Sequence, residues 1–592
     1  MKTTRAVIAL SVLAAACAPA APTPASAPAA ASVPAATSVP ATAPGTAAAP
    51  VSADTGTLVL LGTTDLHGWV LPYDYYTGKT TNNSLASLVP MIDSVRAANP
   101  GRTVLVESGD LLQGNPLDFV YSRLQPGETH PLVAAMNLVG YDAAAIGNHE
   151  FNYGVPHLDA AVRQARFPWL SANTFRAGTD EHAYRAYTFV ERTVAGHPVK
   201  VGITSVTPPG VAIWDRDNVR GKLDFRDIVA SVRPLVARMK AEGADLVIVA
   251  AHSGLEGSSY DTAATGVPAE NAAVAMANEV PGIDVIFMGH THRELADTTI
   301  NSVLVTQAKN WGASLAVSTL TLRHGADGWR VLAKHGRILR PVEGHADARL
   351  QAALAQAHER TRQYVGRQIG VSTDEWTSAL SRTRDTPITD LINDVQRRAT
   401  GADLSSTAAF SLGSRIPRGP ITVADVAGLY IYDNTLKAVR ISGAQLRAYL
   451  EKSAEYYLPC PGGQCARVTS TTVPGYNFDV VSGVDYALDL TKPVGQRVTR
   501  LERNGRAVAA TDSFTLALNN YRASGSGGFS MLIGAPVVYD RGESIRDLLI
   551  ADIQRRGRIS PASVFRKNWE IVPAALAGRA AVEQRNEGAQ AR

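Results

Sequence analysis

From Thr57 to about residue 340, eight apolar runs alternate with stretches of helical spacing. The runs are TLVLLGTTDLHG, TVLVESGD, YDAAAIGNHE, VKVGITSV, ADLVIVAAHSG, IDVIFMGHTH, SVLVTQA and LAVSTLTL, and the helical SLASLVPMIDSVRAA separates the first two. A strand with one wet face alternates apolar and polar residues. A continuous apolar run is a strand covered on both faces, which is how α/β folds are built. The pattern predicts a layered α/β domain with buried sheets over residues 57–344.

In open α/β sheets, functional groups gather beyond the carboxyl ends of the strands. The first run ends in Asp65 and His67, the second in Asp110, and the third in Asn148, His149 and Glu150. VIVAAHSG supplies His252, and DVIFMGHTH supplies His290 and His292. A lone histidine at such a place is usually a surface or hydrogen-bonded residue. Here five of the 13 histidines fall at strand ends, together with carboxylates and an amide. Imidazole, carboxylate and amide oxygen are the donors a hard-to-borderline divalent ion prefers. The spacings Asp65/His67 and His290/His292 place each pair on one side of an extended chain.

Two imidazoles on one side of one strand end are most useful if two ions sit side by side. Such a pair, roughly 3.5–4 Å apart, clamps the attacking and leaving oxygens of a phosphoryl transfer. Asp110 is the expected bridge, since a carboxylate can give one oxygen to each ion. Two divalent ions against Asp65, Asp110 and a hydroxide leave the cluster positive, so it attracts a phosphate anion.

The motifs D-x-H, G-D, G-N-H-E and G-H-x-H, in this order, resemble those of the calcineurin-like metallophosphoesterases. The resemblance implies that Asp65, His67, Asp110 and His292 hold one ion, and that Asp110, Asn148, His252 and His290 hold the other. Zn, Mn, Fe, Co and Ni all suit such donors. It implies that His149 stabilises the transferring phosphoryl group or protonates the leaving oxygen. Glu150 reads instead as a supporting or helix-N-terminal carboxylate.

After His358 the chain has no histidine but ten tyrosines. Residues 371–575 read as a mixed α+β substrate-binding domain, joined by one solvent-facing helix within 345–370. The stretches GLYIYDNTLKAVRISG and LALNNYRASGSGGF resemble the C-terminal domain of the 5′-nucleotidase and 2′,3′-cyclic-nucleotide 2′-phosphodiesterase superfamily. That implies Tyr432 and Tyr521 stacking on a nucleobase and Asn434 hydrogen bonding to it; Arg415 matches a substrate-contacting arginine loosely. Stacking on an aromatic ring contributes roughly 1–3 kcal/mol per base and tolerates any base. GNHEFN, GYNFDVVSGVDY and NNYRASGSGGF resemble the cyclic-phosphodiesterase/3′-nucleotidase branch. There Asn152 stands where 5′-nucleotidases usually carry an aspartate paired with the catalytic histidine, and Ser526 stands where they often carry a ribose-binding aspartate. The implied activity opens 2′,3′-cyclic nucleotides and then hydrolyses 3′-nucleotides. A 5′-nucleotidase, a nucleotide-sugar or dinucleotide hydrolase, and a non-enzymatic nucleotide-binding surface protein are the alternatives. With metals and base sites in different domains, rotation about residues 345–368 is expected to admit substrate.

Lys2, Arg5 and the apolar run Ala6–Ala16 have the form of an export signal, too short to span a bilayer as a helix. Cys17 after small residues resembles a bacterial lipoprotein signal, with ordinary cleavage nearby as the alternative. Residues 1–17 are therefore read as a signal and 18–56, rich in Ala and Pro, as a tether. The expected location is the periplasm or outer cell envelope, with attachment through Cys17. In an exported chain Cys460 and Cys465 should form a local disulfide. The net charge of +4 is small for 592 residues and does not suggest a polybasic surface, so no nucleic-acid polymer is expected as a partner. Residues 576–592 are read as a frayed tail.

Overall fold

The computed structural model describes residues 54–590, with side chains described to residue 585. The expected signal and almost all of the expected tether lie outside that range. The tether's last residues do not: Thr55 and Gly56 already belong to the strand Thr55–Thr63, paired with Arg323 and Leu322.

Two six-stranded sheets form the N-terminal half. In the first, the order is Gly328–Leu339, Leu315–Gly325, Thr55–Thr63, Thr103–Glu107, Ala143–Ala145 and Trp169–Leu170. In the second it is Leu295–Ile300, Val303–Gln307, Val285–Met288, Leu246–Ala251, His197–Val206 and Tyr187–Val194. The inner pairs next to the site are parallel; three of the four edges are antiparallel, and the fourth, Trp169–Leu170, is parallel to its neighbour.

The continuous apolar runs are explained by what each face meets. Leu58, Leu60, Val104 and Val106 from the first sheet pack against Val201, Ile203, Ile248 and Phe287 from the second. Their neighbours Val59, Leu61 and Leu105 point the other way, into a helical layer, and Val247, Val249 and Ile286 do the same for the second sheet. Each such aliphatic side chain stabilises the fold by about 1.5–3 kcal/mol relative to exposure. The sheets approach so closely at Gly62 that a Cβ there would sit 2.3 Å from the Phe287 ring. The result is a layered α/β unit with both sheets buried, as the runs predict.

The C-terminal half is α+β. Its five-stranded sheet has the order Asp479–Ser482, Leu404–Ala408, Ser513–Asn519, Thr435–Ser442 and Val537–Ser544, with helices such as Pro387–Thr400 and Gly443–Ala454 packed on it. Cys460 and Cys465 form the expected disulfide.

Two expectations are corrected. The connector is not one solvent-facing helix but two, Ala348–Ala353 and Ala355–Val365, separated at Leu354. Leu350, Leu354, Ala357 and Val365 are buried in the N-terminal core, so this segment is docked along one side. The expected frayed tail is helical up to residue 590, and its last two residues lie outside the described range. Helix Ala574–Gln590 buries Leu576 and Ala580 in the C-terminal core. Glu583 accepts hydrogen bonds from the Val468 and Thr469 amides. The Ala-rich composition hides an amphipathic spacing of three to four residues.

Candidate metal centre

The site lies where the carboxyl ends of the two sheets meet. Thr55–Thr63, Thr103–Glu107 and Ala143–Ala145 of the first sheet run into Asp65, His67, Asp110, Asn148 and His149. Leu246–Ala251 and Val285–Met288 of the second run into His252, His290 and His292. The loops hold one another through their backbones: the Asp65 amide donates to Gly109 O, the His67 amide to Asp110 O, and the Trp311 amide to Asp65 O. Glu150, fully buried, accepts from the amides of Asp110, Leu111, Leu112 and Gly147. It is the supporting carboxylate expected. Gly109 completes the packing, since a Cβ there would lie 2.8 Å from both Gly147 N and His252 Nδ1.

The expectation that extended spacing pairs the side chains is corrected. Asp65, His67, Asp110, His290 and His292 lie beyond their strands with φ between 45° and 70°. Left-handed backbone is costly for residues other than glycine and gathers at functional sites. Among the described residues only ten non-glycine positions have positive φ, and half of them are these five. The turn sends His290 and His292 into different clusters. Asp65, His67 and His292 form one, and Asp110, His252 and His290 the other, with ligand atoms in each within 4.8 Å of one another.

The fit to cations can be tested on the hydrogen bonds. His67 Nδ1 lies 2.6 Å from Gln113 O, and a carbonyl can only accept, so Nδ1 carries the proton. Its Nε2 lone pair then faces His292 Nε2 at 3.1 Å and Asp110 Oδ2 at 3.9 Å. Burial pushes the His67 pKa down to about 3 against the pull of Asp110, so this ring is neutral. His252 repeats the Nδ1 contact but not the neutral ring: burial pushes its pKa down, Asp110 and Asp65 outweigh that and raise it to about 10, so its Nε2 holds a proton toward Asp110 that a cation would replace. Its Nδ1 donates to Ser108 O at 2.7 Å, and its Nε2 faces Asp110 Oδ2 at 2.9 Å and Asn148 Oδ1 at 3.1 Å. Lone pairs converging on lone pairs are reconciled by cations, and second partners that fix the outer ring nitrogen are typical of metal-ligating histidines. Asp110 Oδ2 lies beside both clusters, but Oδ1 accepts from the His149 amide, so Asp110 faces the two clusters with one oxygen rather than the expected one oxygen for each ion. The donor set fits two divalent ions.

The exposures mark the open side of the cluster. Asp65 and His252 are fully buried, while the side chains of His149, His290 and His292 are 18%, 16% and 39% exposed. His149 Nε2 lies 4.0 Å from Asp110 Oδ2, and its Nδ1 lies 2.6 Å from Asn152 Oδ1. The histidine proposed for catalysis thus stands at the open rim with its outer nitrogen fixed.

The C-terminal half reaches this rim. Tyr521 lies flat on Trp214, with centroids 6.0 Å apart and 10° between planes, and Trp214 lies over His290 at 5.7 Å. The Tyr521 hydroxyl is buried beside Asn148 and Asn152. Tyr432 instead meets Phe410 edge-on at 5.0 Å, and Asn434 is buried beside Tyr430. Arg415 is exposed in a two-residue strand beside Thr377 and makes no hydrogen bond to the metal-type side chains.

Several contacts at the site carry no sequence signal. Asp433 accepts from Tyr153 Oη at 2.5 Å and Gln113 Nε2 at 3.3 Å, joining the second half to both metal loops. Asn520 donates to Trp214 O and the Gly528 amide to Ser259 O. Asp215 accepts from Asn152. Trp214, Asp215 and Asp433 went unpredicted because each acts across a fold contact; Asp433 stands between Tyr432 and Asn434 in GLYIYDNTLKAVRISG, but its partners Tyr153 and Gln113 are about 300 residues away.

Comparison with known proteins agrees with this geometry. Residues 58–294 match the calcineurin-like phosphoesterase family and residues 368–533 the 5′-nucleotidase C-terminal domain. A Salmonella typhimurium 2′,3′-cyclic-nucleotide 2′-phosphodiesterase/3′-nucleotidase is 32% identical, over 88% of this chain and 90% of that protein. A Haemophilus influenzae protein of the same name is 30% identical, over 87% of each. A trifunctional nucleotide phosphoesterase of Bacillus subtilis is 32% identical over 87% of this chain, which spans 39% of that longer protein. A solved Staphylococcus aureus structure shares the fold, with a TM-score of 0.74 at 24% identity over 87% of this chain and 99% of that one.

Proposed function

Because this chain belongs to the calcineurin-like phosphoesterases that carry a 5′-nucleotidase C-terminal domain, we propose that it opens 2′,3′-cyclic nucleotides to 3′-nucleotides and then hydrolyses these to nucleoside and phosphate. The observation that carries the reading is the convergence of His67 Nε2 and His252 Nε2 on Asp110 Oδ2, with Tyr521 of the other half at the rim. Its assignment to the 3′ branch is supported by the 30–32% identical relatives of that activity. Asn152 and Ser526 support it from the sequence.

Two divalent ions, when bound, supply Lewis-acid charge and a nucleophilic water at neutral pH. Asp65, His67 and His292 would hold one, Asn148, His252 and His290 the other, with Asp110 shared. The protein's own groups do the rest. His149, held at Nδ1 by Asn152, presents Nε2 to the phosphoryl group and, when protonated, gives its proton to the departing ribose oxygen. Such help is worth about 10²–10⁴-fold in rate. The loose phosphoryl transition state needs positioning and charge more than covalent assistance. Tyr521 and Tyr432 are proposed to hold the base and Asn434 to hydrogen-bond it; a role for Arg415 would need movement of its strand. Residues 1–17 are proposed to direct export, with acylation at Cys17, and the Cys460–Cys465 disulfide supports an oxidising compartment.

The test is phosphate release from 3′-AMP and 5′-AMP, and opening of 2′,3′-cyclic AMP, with metal content measured in parallel. The 3′ and cyclic substrates should be preferred. His149→Ala should lower kcat by about 10²–10⁴-fold with metal content unchanged. Faster turnover of 5′-AMP would overturn the reading.

A further inference from the structure

The histidine at the rim is oriented by a neutral amide, and an amide has no fixed sense. Asn152 could turn its carbonyl or its NH₂ toward His149 Nδ1, at almost equal steric cost. Only the carbonyl orientation accepts the Nδ1 proton and leaves Nε2 free for the substrate. Something beyond Asn152 must choose.

The choice is made 63 residues along the chain. Asn152 Nδ2 lies 3.0 Å from both Oδ1 and Oδ2 of Asp215. An ionised carboxylate only accepts, so it takes the NH₂ end of Asn152 and turns the carbonyl toward His149, 2.6 Å away. Asp215 is 6% exposed and is itself held in place. Its amide donates to Val211 O at 3.0 Å, its carbonyl accepts from the Asn218 and Val219 amides, and Asn218 Nδ2 lies 3.3 Å from its Oδ1. The same Asn218 Nδ2 reaches Phe151 O and Asn152 O, tying the Asp215 turn to the His149 loop. We propose that Asp215 is a positioning residue for the reaction: a carboxylate one link out that sets the sense of the Asn152 amide and, through it, the orientation and charge stabilisation of His149. The chain thus keeps a carboxylate behind its histidine with an amide inserted between them. This rests on the catalytic role given to His149 above.

The test is a charge swap. In Asp215→Asn the outer group can donate as well as accept, so Asn152 loses its fixed sense and His149 loses the charge behind it. The expected loss in kcat is about tenfold, a fraction of the full worth of general acid–base help, with KM within about twofold. Asn152→Asp puts two carboxylates in contact, which must repel or share a proton, and should also lose about tenfold. The double variant Asn152→Asp/Asp215→Asn restores one carboxylate and one amide in the opposite order. It should recover to within about threefold of the parent, a non-additivity that a merely structural role would not produce. In a His149→Ala background, Asp215→Asn should cost nothing further. Metal content per chain is measured for every variant and should stay at the parent value.

All rates are taken on whichever phosphoester the parent hydrolyses fastest. A preference for 5′-AMP would then refute the proposed substrate and leave the relay to be judged separately. The relay is overturned if Asp215→Asn keeps full kcat. It is equally overturned if the double variant falls to the product of the two single losses.

Discussion

Asp433 offers the sharpest physical test of how the two halves are held over the metal loops. Its Oδ2 accepts from Tyr153 Oη at 2.5 Å, and its Oδ1 faces Arg546 Nη1 at 2.6 Å. The Asp433 and Arg546 side chains are 9% and 5% exposed, so solvent screens the contacts little. A hydrogen bond to a charged group is worth about 1.5–3 kcal/mol and a neutral one about 0.5–1.5. Of the contacts Asp433 makes, the Tyr153 bond and the longer Gln113 bond cross between the halves; Arg546 belongs to the same half as Asp433. Asp433→Asn should therefore weaken the crossing contact by about 1–2 kcal/mol, or about 5–30-fold in local opening. Tyr153→Phe removes the same bond from the other side without disturbing Arg546. Hydrogen exchange of residues 111–115 and 151–154 should accelerate about tenfold in either variant, and no further in the pair. The helix Ile228–Ala241, remote from the contact, should not respond. Exchange within twofold of the parent in Tyr153→Phe would refute the reasoning. We propose that the halves turn about the docked helices Ala348–Ala353 and Ala355–Val365 during turnover, with this bond breaking at each cycle.

Three further outcomes are expected. Chelation should abolish activity and lower the Tm. Readdition of Mn²⁺ at about 100 times its Kd should return about 2.7 kcal/mol, and activity persisting in protein shown to be metal-free would contradict the site. Burial raises the Asp390 carboxyl from 3.8 to about 7, with Asp385 nearby adding to the shift. Folding then favours the protonated form, so this stability is present below the unfolded pKa and lost as pH rises through about 7. Three pKa units correspond to about 4 kcal/mol, so the Tm should fall between about pH 4 and 7 and level off above, and Asp390→Asn should flatten that fall. Asp479→Ala should destabilise the C-terminal half by about 3–5 kcal/mol, because it leaves Arg522, 7% exposed, as an unpaired buried charge; thermal unfolding reads the loss, which should shrink if Arg522→Met is added.

The layered α/β half was legible because each run had to be apolar on both faces to lie between a sheet and a helix. The metal-type residues were legible because they follow strands that such a fold points the same way. The reason first given for their pairing was not the operative one. Left-handed turns at Asp65, His67, Asp110, His290 and His292 aim the side chains, and sequence spacing carries no record of φ. Asp215 was illegible for another reason. It lies in VAIWDRDN, between two four-residue helices and beyond any strand, and it acts on a partner 63 residues away. Tyr521 was found only through resemblance, and Trp214, the ring it rests on, not at all. The docked tail was readable in principle. Leu576, Ala580 and Gln584 recur on one face, but a composition rich in alanine drew attention away from that spacing.

Trp214 is stacked with both His290 and Tyr521, at 5.7 Å and 6.0 Å between ring centroids. The indole therefore joins an aromatic column whose parts come from both ends of the chain. Its fluorescence is sensitive to both neighbours, so parting them should alter the emission without any attached dye. With the other six tryptophans left in place, a Trp214→Phe difference spectrum would isolate that signal and let opening be timed in the unlabelled enzyme.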